Sequence, residues 1–208
     1  VICVSTPKGL AGACNMLHVT DVLEDCPDVP ILIKSTISVQ GWSYINDKFD
    51  KKIAYSPEFL RADKALDDIR QQEHIMIGGK EVSFWIKLFK EIFPSCPHII
   101  TADPEELIAV KYFRNAFLAT KVSFFNQVYD FCKASGIDFD NVRKGVALDK
   151  RINASHTLVT KDRGFGGPCF PKDVEAIRCS ALYYEVDLSI IAEIIKYNKD
   201  IKNDIDEK

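Results

Sequence analysis

Gly164-Phe165-Gly166-Gly167-Pro168-Cys169-Phe170-Pro171-Lys172-Asp173 is the stretch around which the chain is organised. Its glycines permit positive φ and let a ligand approach the backbone closely. Pro171 suits the first turn of a helix, because the N–H it lacks would have no partner there. Asp173 to Tyr184 contains no Gly or Pro, which predicts that helix. Cys169 then stands ahead of a helix N-terminus with Lys172 close by, a setting that favours a nucleophilic sulfur. A cysteine in a glycine turn is more often a buried structural residue. The Gly/Pro frame and the Lys172-Asp173 pair favour the reactive reading.

Upstream, Pro104 to Ser135 has helical patterning with no internal Gly or Pro, and Gly136 ends it. A helix of about 30 residues extends roughly 45 Å. Apolar residues such as Leu107, Phe113, Phe117, Phe124 and Phe131 fill most of its faces, so it must be covered on more than one side. It reads as a spine linking two domains and packing against a second copy, a homodimer through residues 104–135. Lys111 and Asn115, one turn apart, share a face of this spine and are aimed at something. After it come a short helix at Ile137–Leu148, Arg151 as a candidate anion fork, a polar loop at 153–163, and a helix at Leu188–Tyr197. The polar residues from Asn198 onward read as a tail with no closing element.

The first hundred residues alternate apolar strands (Ile2–Ser5, Ile31–Lys34, Ile53–Tyr55, His74–Ile77, His98–Ile100) with helices near 13–25, 41–49, 63–69 and 80–92. That alternation predicts an α/β fold with a mostly parallel sheet covered on both faces. Ligands of such sheets sit at the carboxyl ends of the strands, where Thr6-Pro7 and Ser35-Thr36 fall. Glu58, in Tyr55-Ser56-Pro57-Glu58-Phe59-Leu60-Arg61, is a further acid at a strand end. No Gly-x-Gly-x-x-Gly follows a strand, so a dinucleotide would lack its usual complete cradle.

Composition narrows the classes. The net charge of −3 and the absence of a basic, aromatic-laced run give no support for nucleic-acid binding. No apolar run approaches a membrane span. Seven cysteines at scattered positions, without a Cys-x-x-Cys pair, argue against a zinc site or disulfide framework and for a reducing, cytoplasmic setting. The apolar opening Val1–Pro7 and the polar tail predict that both ends are cut.

Taken in order, Thr6-Pro7, Lys34-Ser35-Thr36, Pro57-Glu58-Phe59-Leu60, Lys111-x-x-x-Asn115, Asp149-x-Arg151-Ile152 and the Gly164–Asp173 stretch resemble the UDP-glucose/GDP-mannose dehydrogenase family. Ser56 to Leu66 looks most like its UDP-glucose-oxidising branch. The resemblance implies that residues 1–102 are the second half of a Rossmann-like NAD-binding domain, with a partial doubly wound sheet. Residues 103–208 would be the central helix and an all-helical dimerisation domain. A Gly-rich unit before and a nucleotide-sugar domain after would be missing, leaving the chain inactive alone.

The implied activity is oxidation of UDP-glucose to UDP-glucuronate with two NAD, through an acyl group carried on Cys169. Lys111 and Asn115 would stabilise the oxyanion, Asp173 and Thr36 would position water, and Glu58 would assist hydrolysis. Phe59, Leu60, Arg61, Phe165, Gly166 and Phe170 would line the sugar-nucleotide site, with Arg151 reaching the substrate of the partner subunit. Thr6, Pro7, Ser35, Thr36 and Lys172 would face the nicotinamide half of NAD. No metal is implied.

Several positions depart from the family pattern. Ala62 stands where a second Glu is usual, with Asp63 one place out of register; Ser38-Val39-Gln40 replaces Pro-x-Gly; Asn153 replaces a Gly; and the loop before Cys169 is about two residues longer. Two other readings stay open: a non-catalytic dimerising module on the same fold, and a dehydrogenase for another nucleotide sugar such as GDP-mannose. A different thiol acyl-transfer enzyme would need a histidine, and none of His18, His74, His98 or His156 lies in a motif.

Overall fold

A computed structural model describes residues 1–61 and 64–206. The chain divides into two compact units, Val1–Tyr112 and Phe113–Lys208.

The first unit is α/β. Its strands are β1 (Ile31–Ile33), β2 (Ile53–Tyr55), β3 (His74–Gly79) and β4 (His98–Thr101), hydrogen-bonded in the order β1-β2-β3-β4. β1 and β2 are buried at every residue, as strands covered on both faces should be. The β1–β2 and β3–β4 pairs are parallel, while β2 and β3 run antiparallel. The sheet is thus mostly parallel, as the alternating pattern implied.

The antiparallel step depends on Gly79, which pairs with Ala54 at φ +103°. A Cβ there would stand 2.7 Å from the Ile53 carbonyl oxygen, so no other residue fits without displacing backbone. Helices α1 (Leu17–Asp25), α2 (Val39–Lys48), α3 (Ala65–Arg70) and α4 (Val82–Ile92) connect the strands. α4 buries Trp85 and Phe89 against Leu32, Ala54, Ile75 and Ile77, the apolar cluster that fixes the sheet.

Three local expectations need correction. Ile2–Ser5 is not a full strand. Ile2 forms one parallel bridge to Ile33, but the Val4 N–H then goes to the Ser35 hydroxyl (2.8 Å), which in turn donates to the Val4 carbonyl (2.8 Å). A side chain has replaced the neighbouring strand as partner. The helix placed at 13–25 starts only at Leu17. The preceding residues are committed to a turn in which Gly9 N–H bonds the Ala13 carbonyl (2.7 Å), and Asn15 Oδ1 accepts from Leu17 N–H (3.0 Å). The helix placed at 63–69 is α3, from Ala65; Ala62 and Asp63 lie outside the described residues.

Among its described residues, the second unit is built from helices joined by loops, with no strand. α5 (Pro104–Ser135) is 32 residues long, unbroken, and ends at Gly136 with φ +72°. The unit boundary falls inside it. α6 (Phe139–Ala147) is capped by Asp138, whose carboxylate accepts from Asn141 N–H (2.8 Å). α7 (Phe170–Tyr183) carries Pro171 in its first turn. α8 (Ser189–Asp206) corrects the expected tail: Ile191, Ile194 and Asn198 fall on one helical face and are all buried, so the helix continues through the polar residues.

Gly79→Ala is expected to lower the unfolding free energy by about 2–3 kcal/mol, through the positive φ and the carbonyl clash together. Urea denaturation of the two proteins checks this, and an unchanged midpoint would contradict the account of the β2–β3 pair.

Candidate active site

Lys111 and Glu58 are linked in the first unit. The Lys111 ammonium, largely buried, donates to the backbone carbonyl of Glu58, and its charge lies 5.9 Å from the centroid of the Phe59 ring. The Glu58 carboxylate takes the Phe59 N–H (3.0 Å) and an ion pair with Lys34 (3.2 Å), which also reaches the Ser56 hydroxyl (3.4 Å). Lys34 follows β1 and Glu58 follows β2, which are parallel neighbours, so the two side chains leave the same carboxyl edge of the sheet. Lys34 stands inside a quoted motif, yet the sequence reading gave it no role.

The other residues of that edge are placed more quietly. Thr6 is buried and Pro7 is exposed. The buried Ser35 spends its hydroxyl on the Val4 backbone. The half-buried Thr36 accepts a weak bond from the Cys14 thiol at 3.4 Å through its carbonyl. Leu60 is half-buried.

The second unit holds the other group. Cys169 is exposed and occupies the N-cap of α7, with no hydrogen bond from its side chain to the helix end. Its carbonyl accepts from the Asp173 N–H (2.8 Å). The Asp173 side chain, only 2% exposed, accepts from Asn115 Nδ2 (2.6 Å) and from the Lys172 ammonium (2.5 Å). A buried carboxylate in the first turn of a helix is stabilised by the helix dipole and by these two donors. Lys172 is therefore tied to its neighbour. Phe165 is buried, Gly166 is exposed, and Phe170 packs its ring 5.6 Å from that of His156. His156, which sits in no motif, reaches the residue next to Cys169 only through folding of the 153–163 loop. No spacing rule could have found it.

Two arginines expected to contact substrate are engaged locally. Arg151 forks onto Asp149 two residues away (Nε to Oδ1, 3.0 Å), and its side chain is 89% exposed. Arg61 forks onto Asp68 (Nε to Oδ2, 3.0 Å) and also donates its backbone N–H to the same carboxylate (2.9 Å). These bonds hold the Asp68 pKa down to about 2. The sequence also passed over Lys121, whose ammonium donates to the Ile152 carbonyl (2.5 Å) and the Asn153 carbonyl (3.2 Å), pinning the segment after Arg151 to α5. Partial burial lowers its pKa.

A mostly parallel α/β unit with polar residues on its carboxyl edge, followed in sequence by a helical unit with a cysteine at a helix mouth, defines the class of fold as Rossmann-like. Residues 1–96 match the NAD binding domain of the UDP-glucose/GDP-mannose dehydrogenase family, and residues 106–200 match its central domain. The UDP-glucose 6-dehydrogenase of Rickettsia bellii is 31% identical over 212 residues, taking in 96% of this chain and 48% of the relative. That of Pseudomonas aeruginosa is 31% identical over 212 residues, with 93% and 46% covered. The structure of a UDP-glucose dehydrogenase from Pyrobaculum islandicum is similar at a TM-score of 0.82 and 28% identity, over 95% of this chain and 49% of that one. The chain belongs to the UDP-glucose/GDP-mannose dehydrogenase family, and it spans about half the length of the relatives it matches.

Because the folded-state pKa of Asp68 is depressed, the Arg61–Asp68 contact supports the fold above the unfolded value of about 3.9 and is lost as pH falls through about 2. Carboxyl carbon shifts followed by NMR should show Asp68 titrating near 2, and moving up toward about 3.9 in Arg61→Ala. An unmoved midpoint in that variant would contradict the pairing.

Proposed function

We propose that this chain supplies part of the catalytic apparatus of an NAD-dependent UDP-glucose 6-dehydrogenase, with Cys169 as its nucleophile. The observation that carries the reading is the exposed sulfur at the α7 N-cap, in the same turn-and-helix as the buried Asp173. The sugar CH2OH loses two electrons and becomes an aldehyde. The Cys169 thiolate then adds to that aldehyde, and a second two-electron oxidation leaves a thioester on the sulfur. Water releases the carboxylate and returns the thiol. NAD supplies the hydride acceptor for both oxidations.

The chain's own residues divide the remaining work. Lys111 and Asn115, four residues apart in α5, are the donors proposed for the developing oxyanion. Asp173, held by Asn115 and Lys172, positions the water. Glu58, fixed by Lys34 and the Phe59 N–H, assists hydrolysis. Thr6, Pro7, Ser35 and Thr36 fit the nicotinamide end of NAD: they follow two segments that pair in parallel at Ile2 and Ile33, at the edge where such sheets take dinucleotides. For the sugar nucleotide, the first unit would contribute Phe59 and Leu60, and the second Phe165, Gly166 and Phe170. Arg61 and Arg151 contribute there only after leaving their aspartates.

The 208-residue chain alone is expected to form no NADH from UDP-glucose. Joined to the parts of the Rickettsia bellii relative that it does not span, it should form two NADH per UDP-glucose, and Cys169→Ala should reduce this to background. A folded joined protein that is inert toward both UDP-glucose and GDP-mannose would sink the enzymatic reading in favour of a non-catalytic module.

We also infer a homodimer through α5. Phe113, Phe117, Phe124 and Phe131 are 48%, 68%, 56% and 66% exposed and fall on one side of the helix. A stripe of four phenylalanines in water is the mark of an interface. Light scattering at micromolar concentration should give twice the chain mass, and Phe117→Glu with Phe124→Glu should halve it; a monomeric parent would rule the interface out.

A further inference from the structure

The turn that leads to Cys169 is held in a conformation its residues would not choose. Arg163 has φ +48° and Gly164 φ +58°, two left-handed residues in succession. For a residue with a full side chain that region is unfavourable, so something must hold it there. Two asparagines outside every recognised motif are in place to do so.

Asn126, on α5, is 1% exposed. Its Oδ1 accepts from Arg163 Nε (2.8 Å) and from the Gly164 N–H (3.1 Å), while its Nδ2 bonds its own helix at the Val122 carbonyl (2.9 Å). Asn198, on α8, is 7% exposed. Its Oδ1 accepts from the Phe165 N–H (2.7 Å) and its Nδ2 donates to the Phe165 carbonyl (3.1 Å). The Arg163 guanidinium is further braced by Asp130 (2.7 Å) and by the Tyr129 ring, 4.9 Å away. Gly164 is forced by this arrangement, since a Cβ on it would lie 2.2 Å from Asn198 Oδ1.

We propose that Asn126 and Asn198 are positioning residues that clamp Arg163–Phe165 from two helices and so fix where Cys169 stands at the mouth of α7. This rests on the reading of Cys169 as the nucleophile. Among the described residues, the hydrogen bond that ties Cys169 to α7 is the one its carbonyl accepts; the chain entering it from Phe165 passes through Gly166 and Gly167, which impose little of their own. Fastening Phe165 therefore shortens the free segment to three residues.

The two asparagines serve the turn differently, which makes the proposal testable. Toward the turn, Asn126 only accepts, so an aspartate keeps both bonds there and strengthens the one from Arg163 by charge, which offsets the oxygen it sets against the Val122 carbonyl. Asn198 accepts and donates at once; an aspartate there sets a second oxygen against the Phe165 carbonyl.

The experiment uses the 208-residue chain with Asn126→Asp, Asn126→Leu, Asn198→Asp and Asn198→Leu, without NAD or sugar nucleotide. Amide exchange at Gly164 and Phe165 is followed by NMR. Alkylation of Cys169 by iodoacetamide is read by peptide mass mapping against the exposed Cys3 as internal reference. Asn126→Asp is expected to stay within about twofold of the parent in both readouts. Asn198→Asp and the folded leucine variants should speed exchange of the clamped amides by about tenfold. They should also lower the Cys169-to-Cys3 alkylation ratio by about fivefold.

Unchanged exchange, equal tolerance of Asp at both positions, or an open turn with an unaltered Cys169 ratio would each overturn the proposal. The near-isosteric Asn198→Asp decides it should the leucine variants fail to fold. Failure of NADH formation in the joined protein, with this pattern intact, would refute the dehydrogenase reading and leave the clamp standing.

Discussion

The constraint on which the rest depends is the unbroken period of α5. At 3.6 residues per turn, Asn115, Asn126 and Asp130 fall within an arc of about 60°. Phe113, Phe117, Phe124 and Phe131 fall within about 40° on the opposite side. Within the second unit the helix thus presents a polar stripe that reaches Asp173, Gly164 and Arg163, and an exposed apolar stripe. An inserted residue would rotate everything beyond it by about 100° and separate partners that are now in register. The absence of Gly and Pro from 105 to 135 is therefore a requirement of the polar contacts as much as of the helix.

Glu58 in the first unit and Asp173 in the second are each held by more than one donor, and burial sets how much that matters. Asp173, nearly sealed from water, would be costly as an anion with only one of its donors, because an uncompensated buried charge loses its hydration. Glu58 is 30% exposed and its pairing with Lys34 is correspondingly weaker. The first geometry is rigid, and the second leaves the carboxylate room to exchange partners. That difference suits a fixed water-positioning group and an assisting acid.

The sequence was legible where chemistry is local. A run without breakers and a terminal glycine gave α5 to the residue, and the Gly/Pro frame placed Cys169 at a helix mouth. Period and apolar run gave β2 directly, and β1, β3 and β4 to within two residues. It was not legible where partners lie far apart in the chain. The Ser35 hydroxyl breaking the ladder at Val4, the fork of Arg61 on Asp68 and the grip of Asn198 on Phe165 span 31, 7 and 33 residues. Asn198 in particular reads as surface in a polar run, because only burial distinguishes an amide that is working from one that is solvated. The end of α8 was missed for the same reason.

The glycines of the Cys169 turn differ in what they are for, although the sequence shows them as one motif. Gly164 is demanded by protein: its φ is positive and the Asn198 amide occupies the space of a side chain. Gly166 has only the Lys202 ammonium near a hypothetical Cβ, at 3.7 Å, and among the described residues Gly167 has nothing within 4 Å. Packing therefore accounts for Gly164 and does not account for Gly166. A side chain at 166 would be sterically free among the described residues. The glycine at 166 thus has no steric cause among the described residues, in contrast to Gly164, so one motif joins a residue that the fold requires to one that it does not.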